Sequence, residues 1–257
     1  MAEPVTHRDW GGEGPPVVLL HGLAGYAGEW EAVAVRLRAR GHHVVAMDLR
    51  GHGGSVRHPR DTRASAHADD VAGLLGRLGA GPAVLVGQSL GGRVALRVAH
   101  QHPALVRGLA LVEADARPAS ETPDDVAIRW LRSWPLPFPD RASATAWLGG
   151  GTVGEAWADG LEERGGGLWP RFDVDVLARL FDALVRAPSW PAWTAPGSPV
   201  LLLVAERGIL DQAAVGAMLA ARPDAWSLGV PGAGHDVHIE QPDVVAGFLD
   251  AFLAAHA

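Results

Sequence analysis

A serine stands at the end of an apolar run and is followed at once by glycines in residues 83–92, AVLVGQSLGG. Gly87 and Gly91 fall at the two places where a Cβ would collide in a tight turn from a strand into a helix. Such a turn strains Ser89 and lifts its hydroxyl clear of a sheet, at a helix N-terminus that favours negative charge. A serine that merely caps the helix is the alternative. The flanking strand and helix patterns favour the strained turn, and so predict a nucleophile.

The elements that would position this serine follow from short apolar runs that alternate with longer stretches of helical period. The runs predict strands at 16–20, 43–47, 83–87, 108–113, 199–205 and 225–230. Helices are predicted at 29–40, 64–79, 89–102, 211–222 and 241–255. The runs are rich in Val and Leu without polar alternation, as in strands that are covered on both faces. This order predicts an α/β fold with a mostly parallel, doubly wound sheet.

One long segment interrupts the alternation. Residues 116–197 contain no convincing strand, and we therefore divide the chain into a core of 1–115 and 198–257 and a helical cap inserted at 116–197. The glycine-rich pieces at 149–152 and 164–169 are expected to cut this cap into short helices.

The insertion is also rich in tryptophan. It holds seven of the ten in the chain: Trp130, Trp134, Trp147, Trp157, Trp169, Trp190 and Trp193. Most are expected to pack a small satellite core, and a few to line a pocket for an apolar or aromatic substrate. The candidates for the pocket are Trp130, Trp134, Trp147 and Trp190.

Composition excludes several function classes. The chain has 257 residues, of which 48% are hydrophobic, so it is long enough for a sizeable core. The net charge of −7 argues against nucleic acid or an anionic membrane as a partner. The absence of cysteine and lysine excludes disulfides, thiolate nucleophiles and Schiff bases.

The N-terminal apolar run is too short for a signal sequence or a membrane span, so we expect a cytoplasmic protein. The oligomeric state is not fixed by the sequence.

Four motifs, in order, resemble those of the α/β-hydrolase fold superfamily, and the similarity extends over essentially the whole chain. They are LLHGLAGYAGEW (19–30), DLRGHGGS (48–55), GQSLGG (87–92) and PGAGHDVHIEQP (231–242). The resemblance implies a Ser-His-acid triad in which His235 acts as the base for Ser89. It also implies an oxyanion hole formed by the backbone N–H groups of Leu23 and Leu90. No cofactor or metal is implied.

The other histidines have weaker claims to a chemical role. His238 is a rival base, but the Gly-His pair of the motif falls at His235. His21 is expected to shape its loop rather than to transfer protons. Most of the remaining histidines are expected on the solvated surface, with no spacing that indicates a metal site: His42, His43, His52, His58, His100, His102 and His256.

The acid of the triad is where this sequence departs from the resemblance. Many superfamily members carry an aspartate after the strand equivalent to 199–205, but here Gly208 stands in its place. Some members carry the acid after the preceding strand, where this chain has Glu113 and Asp115. We rank Glu113 first, Asp115 second and Asp211 third, and all three stay open.

Serine at position 89 argues against the dehalogenase and epoxide-hydrolase branches, whose covalent intermediates require a carboxylate there. Hydrolysis of an ester, lactone or thioester fits the same residues directly, with a medium-sized apolar or aromatic small molecule as substrate. A carbon–carbon hydrolase acting on a diketone-like substrate is the nearest alternative. The fold also hosts ligand receptors or scaffolds with vestigial turnover, lyases and cofactor-free oxygenases.

Overall fold

The computed structural model describes residue 3 and residues 5–117, 126–195 and 197–256. Nine strands are present in these ranges: β1 (His7–Gly11), β2 (Glu13–Leu20), β3 (His42–Met47), β4 (Ala83–Gln88), β5 (Val106–Val112), β6 (Leu161–Arg164), β7 (Gly167–Pro170), β8 (Val200–Ala205) and β9 (Trp226–Val230). Seven of them form one sheet in the order β1-β3-β2-β4-β5-β8-β9, and β6 pairs with β7. The six strands predicted from apolar runs are all present.

The helices of the same ranges are α1 (Glu31–Ala39), α2 (Ala64–Arg77), α3 (Leu90–Gln101), α4 (Val126–Arg132), α5 (Arg141–Trp147), α6 (Gly151–Asp159), α7 (Val174–Arg186), α8 (Trp190–Thr194), α9 (Gln212–Ala221), α10 (Val237–Glu240) and α11 (Pro242–Ala255). Two short 3-10 helices lie at Ala27–Trp30 and Pro103–Leu105. None of the helices described is long and apolar enough to cross a membrane.

The main sheet is covered on both faces, as the unbroken apolar strands predict. Along β2, Val18 and Leu20 pack in the layer that contains α2 and α3, whereas Val17 and Leu19 pack in the layer that contains α1 and α11. Successive side chains of a strand point to opposite faces, so a strand buried on both faces needs an apolar residue at every position. The predicted α/β fold with a mostly parallel sheet is confirmed.

The edge strand β1 was not predicted. It pairs antiparallel with β3, whereas the other pairs of the sheet are parallel. Its sequence, HRDWG, is mostly exposed and has no apolar run. A strand that covers an edge with polar side chains gives little sequence signal.

The segment between β5 and β8 differs from its prediction in one respect. No strand was predicted there, but the glycine-rich piece at 164–169, which separates α6 from α7 as expected, also contains the turn of the antiparallel hairpin β6–β7. Gly165 and Gly166 have φ values of 61° and 78°, and two successive residues with positive φ suit the tight turn of a two-residue hairpin. Near the end of the segment, Trp193 is buried in the layer that contains α3, and its indole N–H donates to the Met218 carbonyl at 2.9 Å. This part of the predicted cap therefore packs on the core.

The loop after β3 is held in place by buried polar contacts. The Asp48 carboxylate accepts hydrogen bonds from the N–H groups of Ala27 and Gly54 at 2.6 and 3.0 Å. Two residues later, the Arg50 guanidinium makes two hydrogen bonds of 2.7 Å to Asp70 on α2. The Asp48–Ala27 contact fixes the 48–55 loop against the segment after β2, which carries the predicted oxyanion donor, and the Arg50–Asp70 contact fixes it to α2.

Four histidines are fully buried: His21, His52, His67 and His238. For His52 this corrects the expectation of a surface position, because its ring packs edge-on against His21 with centroids 4.9 Å apart. Burial lowers the pKa of His52 to about 3 and the pKa of His67 well below its usual value. Neither ring nitrogen of His67 has a hydrogen-bond partner among the described residues. The rings of His52 and His67 are therefore neutral in the folded protein near pH 7.

Acid should destabilise this fold. The unfolded chain protonates its histidines near a pKa of about 6.5, whereas the buried rings stay neutral, so the free energy of unfolding should fall below about pH 6.5. His67→Leu should reduce the slope by up to about 1.4 kcal/mol per pH unit. Urea unfolding between pH 7 and pH 5 measures both slopes. His100→Leu, the same change at an exposed position of α3, should keep the wild-type slope, and an unchanged slope for His67→Leu would contradict the assignment.

Candidate active site

The turn from β4 into α3 has the strained geometry that the sequence predicts. Ser89 has φ 49° and ψ −113°, and its N–H donates to the Val112 carbonyl at 2.9 Å. A Cβ at Gly87 would overlap the backbone of Gly91, and a Cβ at Gly91 would overlap the Leu20 carbonyl. The Ser89 side chain makes no capping hydrogen bond to α3, which argues against the helix-cap alternative. Backbone strain of this kind costs about 1–3 kcal/mol and is concentrated at functional sites.

The Glu113 carboxylate lies fully buried at the end of the neighbouring strand β5. Its two oxygens accept hydrogen bonds of 2.7 Å from the N–H groups of Ala205 and Ile209. One oxygen lies 3.6 Å from Nδ1 of His235, which is longer than a hydrogen bond, and Nδ1 has no hydrogen-bond partner among the described residues. A Cβ at Gly208 would overlap this carboxylate, so the glycine leaves the space that Glu113 fills.

The two other candidate acids have different partners. Asp115 is bound by Arg117, with guanidinium nitrogens 2.8 and 3.1 Å from its oxygens. Asp211 caps the N-terminus of α9, where it accepts a hydrogen bond of 2.6 Å from the Ala214 N–H. Within the described ranges, Glu113 is the carboxylate within 4 Å of the His235 ring.

Gln88, directly before the nucleophile, was not predicted from the sequence. Its amide nitrogen donates to the His235 carbonyl at 3.0 Å and lies 3.2 Å from Nε2 of the ring. A donor at Nε2 and a carboxylate near Nδ1 favour the tautomer with its proton on Nδ1, which is the form a base at Nε2 requires. In the part of the chain that is described, His235 contacts Gln88 in this way and has no hydrogen bond to Ser89.

The loop after β2 brings the first predicted oxyanion donor close to Ser89. Residues 22–25 form a turn closed by a hydrogen bond of 3.2 Å from the Gly25 N–H to the Gly22 carbonyl, with Ala24 at φ 63°. Leu23 lies at the second position of this turn. A Cβ built at Gly22 would lie 3.6 Å from the Ser89 Cβ. Leu90, the second predicted donor, begins α3 directly after Ser89.

A cavity of about 470 Å³ opens beside Ser89 and His235. Most of its wall is apolar, and Glu29, Gln88 and Asp236 add polar groups. The lining residues are Gly22, Leu23, Glu29, Gln88, Ser89, Val126, Ala127, Trp130, Leu131, Trp157, Phe181, Ile209, His235 and Asp236. No three His, Asp or Glu side chains of the described ranges come together in a way that could hold a metal ion.

Of the four tryptophans predicted for the pocket, Trp130 lies on its wall. Trp134 and Trp147 pack against Trp130, with ring centroids 5.3 and 5.9 Å away, and do not line the cavity. Trp190 packs against the core of the main sheet instead, which corrects its prediction. Trp157, which was not predicted, lines the cavity, and its indole N–H donates to Asp236 at 3.2 Å.

His238 does not occupy the position of a base for Ser89. Its ring is fully buried and packs against Trp30, with centroids 4.3 Å apart. Burial lowers its pKa to about 4. Its nearest carboxylate is Glu29, whose Oε2 lies 3.8 Å from Nε2.

Comparison with known proteins agrees with this architecture. The alpha/beta hydrolase fold model matches residues 15–153. The chain belongs to this family. It is 30% identical over 252 residues to 2-(acetamidomethylene)succinate hydrolase from Mesorhizobium japonicum, covering 93% of this chain and 90% of that protein. It is also 30% identical over 256 residues to sn-1-specific diacylglycerol lipase ABHD11 from Mus musculus, covering 93% and 81%.

Structural comparison gives the same assignment. The crystal structure of E-2-(acetamidomethylene)succinate hydrolase superposes with a TM-score of 0.87 at 29% identity, covering 97% of this chain and 95% of that one. The similarity inferred from the four motifs is thereby confirmed. These relatives are hydrolases of small molecules, and this chain is an α/β-hydrolase enzyme.

Gly208→Ala should displace the Glu113 carboxylate, because the new methyl group would occupy the same space. Since two buried N–H groups would lose their acceptor, we expect the free energy of unfolding to fall by about 2 kcal/mol and activity to fall with it. Gly216→Ala is the matched control. It lies in α9 with nothing within 4 Å of its Cβ, and should stabilise the helix by up to about 1 kcal/mol. Urea unfolding measures the free energy of unfolding of both variants, and equal values for the two would exclude the predicted clash.

Proposed function

We propose that the protein hydrolyses the ester, lactone or thioester of a medium-sized, neutral, apolar or aromatic molecule through an acyl-enzyme on Ser89. The observation that carries the proposal is the strained serine at a mostly apolar cavity of about 470 Å³, with His235 and Glu113 beside it. Strain at a nucleophile is retained where it exposes the hydroxyl to a substrate.

In this mechanism the Ser89 hydroxyl attacks the substrate carbonyl carbon while Nε2 of His235 takes the hydroxyl proton. The N–H groups of Leu23 and Leu90 stabilise the negative oxygen of the tetrahedral intermediate. The intermediate then collapses as His235 returns the proton to the leaving alkoxide or thiolate. In the second half, His235 takes a proton from water as the water oxygen attacks the acyl carbon. The second tetrahedral intermediate then collapses as His235 returns this proton to the Ser89 oxygen, which releases the acid and free Ser89.

Glu113 and Gln88 act in this proposal by positioning His235. The buried carboxylate stabilises the imidazolium that forms during attack, and keeps the proton of the neutral ring on Nδ1. The Gln88 amide holds the His235 main chain and faces Nε2. For attack, Nε2 must turn from this amide to the Ser89 hydroxyl. Catalytic hydrogen bonds of a free enzyme commonly tighten only with substrate bound.

The charge of the cavity favours a neutral substrate. Among the described residues, its lining includes the Asp236 carboxylate and no arginine. A succinate derivative, named as the substrate of one relative, would lack a cationic partner here, whereas a neutral ester like the diacylglycerol of the other would not need one.

We further propose that the insertion between β5 and β8 acts as a cap over this site. Val126, Trp130 and Trp157, all from the insertion, form part of the cavity wall, and Trp157 is hydrogen-bonded to Asp236 next to His235. Apolar walls over the reacting groups exclude water and strengthen the hydrogen bonds of the oxyanion hole.

Ser89→Ala tests the nucleophile. A fluorophosphonate should add one adduct to the wild-type protein, since an activated serine attacks phosphorus, and none to Ser89→Ala; intact mass measures both. A covalent adduct on Ser89→Ala would place the nucleophile elsewhere. The absence of an adduct on a folded wild type would favour a ligand receptor or scaffold.

Glu113→Gln tests the acid. The amide can no longer stabilise the imidazolium, so kcat on an ester that is hydrolysed should fall by roughly 10²- to 10⁴-fold. Asp211→Asn, the same change at a helix cap, should alter kcat little. The reverse order of the two losses would assign the acid to Asp211, and circular dichroism of both variants checks that they are folded.

A further inference from the structure

Glu29 is a buried carboxyl group on the cavity wall that the proposed mechanism does not use. It lies in the short 3-10 helix after the turn that carries Leu23, and 7% of its surface is exposed. Its Oε1 has no hydrogen-bond partner among the described residues. Its Oε2 packs against Gly25, where an added Cβ would lie 2.5 Å away. The main chain thus leaves room for the carboxyl group directly beside the predicted oxyanion turn.

The surroundings of Glu29 keep it protonated near neutral pH. Burial raises its pKa to about 8, Asp236 and Asp48 act in the same direction, and His21 and a backbone hydrogen bond at Tyr26 act in the opposite one. Both nitrogens of His238 are also unpartnered, and the separation of 3.8 Å between the two side chains is too long for a hydrogen bond. Because His238 is neutral as well, the pair is not an ion pair at pH 7.

A buried carboxyl oxygen without a hydrogen-bond partner, such as Oε1 of Glu29, is costly to a fold. It loses its hydration and receives nothing in return, whereas an apolar side chain of similar size would pack there without that cost. Polar groups that break this rule are concentrated at functional sites. A neutral carboxyl group is also a hydrogen-bond donor, which an ionised one is not.

We propose that Glu29 donates a hydrogen bond to a neutral oxygen of the substrate, a ketone or amide carbonyl, and so determines specificity for substrates that carry one beyond the scissile bond. The inference rests on the proposed ester hydrolysis at Ser89. A substrate carboxylate is disfavoured as the acceptor because Asp236 lines the same cavity. Glu29 takes no part in bond cleavage in this proposal.

The test compares p-nitrophenyl esters of straight-chain acids with a ketone at the fourth, fifth, sixth or seventh carbon against unsubstituted esters of the same length. At pH 6.5 the wild type should prefer one ketone ester by roughly 3- to 10-fold in kcat/KM, as one neutral hydrogen bond predicts. Glu29→Gln, which keeps a neutral donor, should retain the preference. Glu29→Leu should lose it. Glu31→Leu, which removes an exposed carboxylate two residues away, should keep the wild-type ratio.

The ratio of the two rates also reports on the proton of Glu29. As pH rises through about 8 the carboxyl group loses its proton and its ability to donate, so the wild-type preference should disappear by pH 9. Glu29→Gln should keep its preference at pH 9. Any change of rate with pH that is common to both esters cancels in the ratio.

A purely structural role for Glu29 would lower both rates equally in Glu29→Leu and leave the ratio unchanged, and that result would overturn the inference. So would a wild type with no preference at any ketone position. If no ester is hydrolysed in a Ser89-dependent way, the proposed function fails instead, and binding to Ser89→Ala protein then tests Glu29. Acetophenone should raise the Tm of the Ser89→Ala protein more than the isosteric α-methylstyrene does. Adding Glu29→Leu should abolish this difference. Equal increases in Tm for the two compounds while Glu29 is present would reject the proposal.

Discussion

The buried carboxylate of Glu113 is the group on which the geometry of the site depends. The backbone of Glu113, at the end of β5, has φ 51°, a strained conformation for a residue with a side chain. Its carboxylate connects the ends of two strands by accepting hydrogen bonds from the N–H groups of Ala205 and Ile209. Because it is fully buried, these contacts are not weakened by water. The loop that carries His235 then lies against an acceptor whose position is already fixed.

Close approaches of the main chain build the rest of the site. Glycine stands at four positions where a Cβ would overlap a neighbouring segment: 22, 87, 91 and 208. The missing side chains allow the nucleophile turn, the loop after β2 and the Glu113 carboxylate to approach their neighbours closely. The insertion between β5 and β8 is held together differently, by aromatic packing among Trp130, Trp134 and Trp157. A few positioned polar groups beside apolar side chains are typical of a small-molecule site.

The fold also carries polar groups that reduce its stability. The neutral ring of His67 and the Oε1 atom of Glu29 are buried without hydrogen-bond partners among the described residues. A buried neutral group reduces stability at any pH where the same group is charged in the unfolded chain. Glu29 lines the cavity, which connects the cost of its burial to the substrate recognition that we propose.

The sequence by itself determined six of the seven strands of the main sheet, the helices that flank it and the strained turn at Ser89, because each depends on a local pattern: apolar runs, helical period, and glycines around a tight turn. Glu113, Asp115 and Asp211 give the same local signal, and only the tertiary structure showed which of them approaches His235, since that depends on the packing of segments distant in the chain. The tertiary structure likewise decided the positions of Gln88 and Glu29 at the cavity, the β6–β7 hairpin and the packing of Trp190 away from the pocket. A contact between distant residues produces no periodic pattern in the sequence, because the pattern of each segment reflects only its own helix, strand or turn.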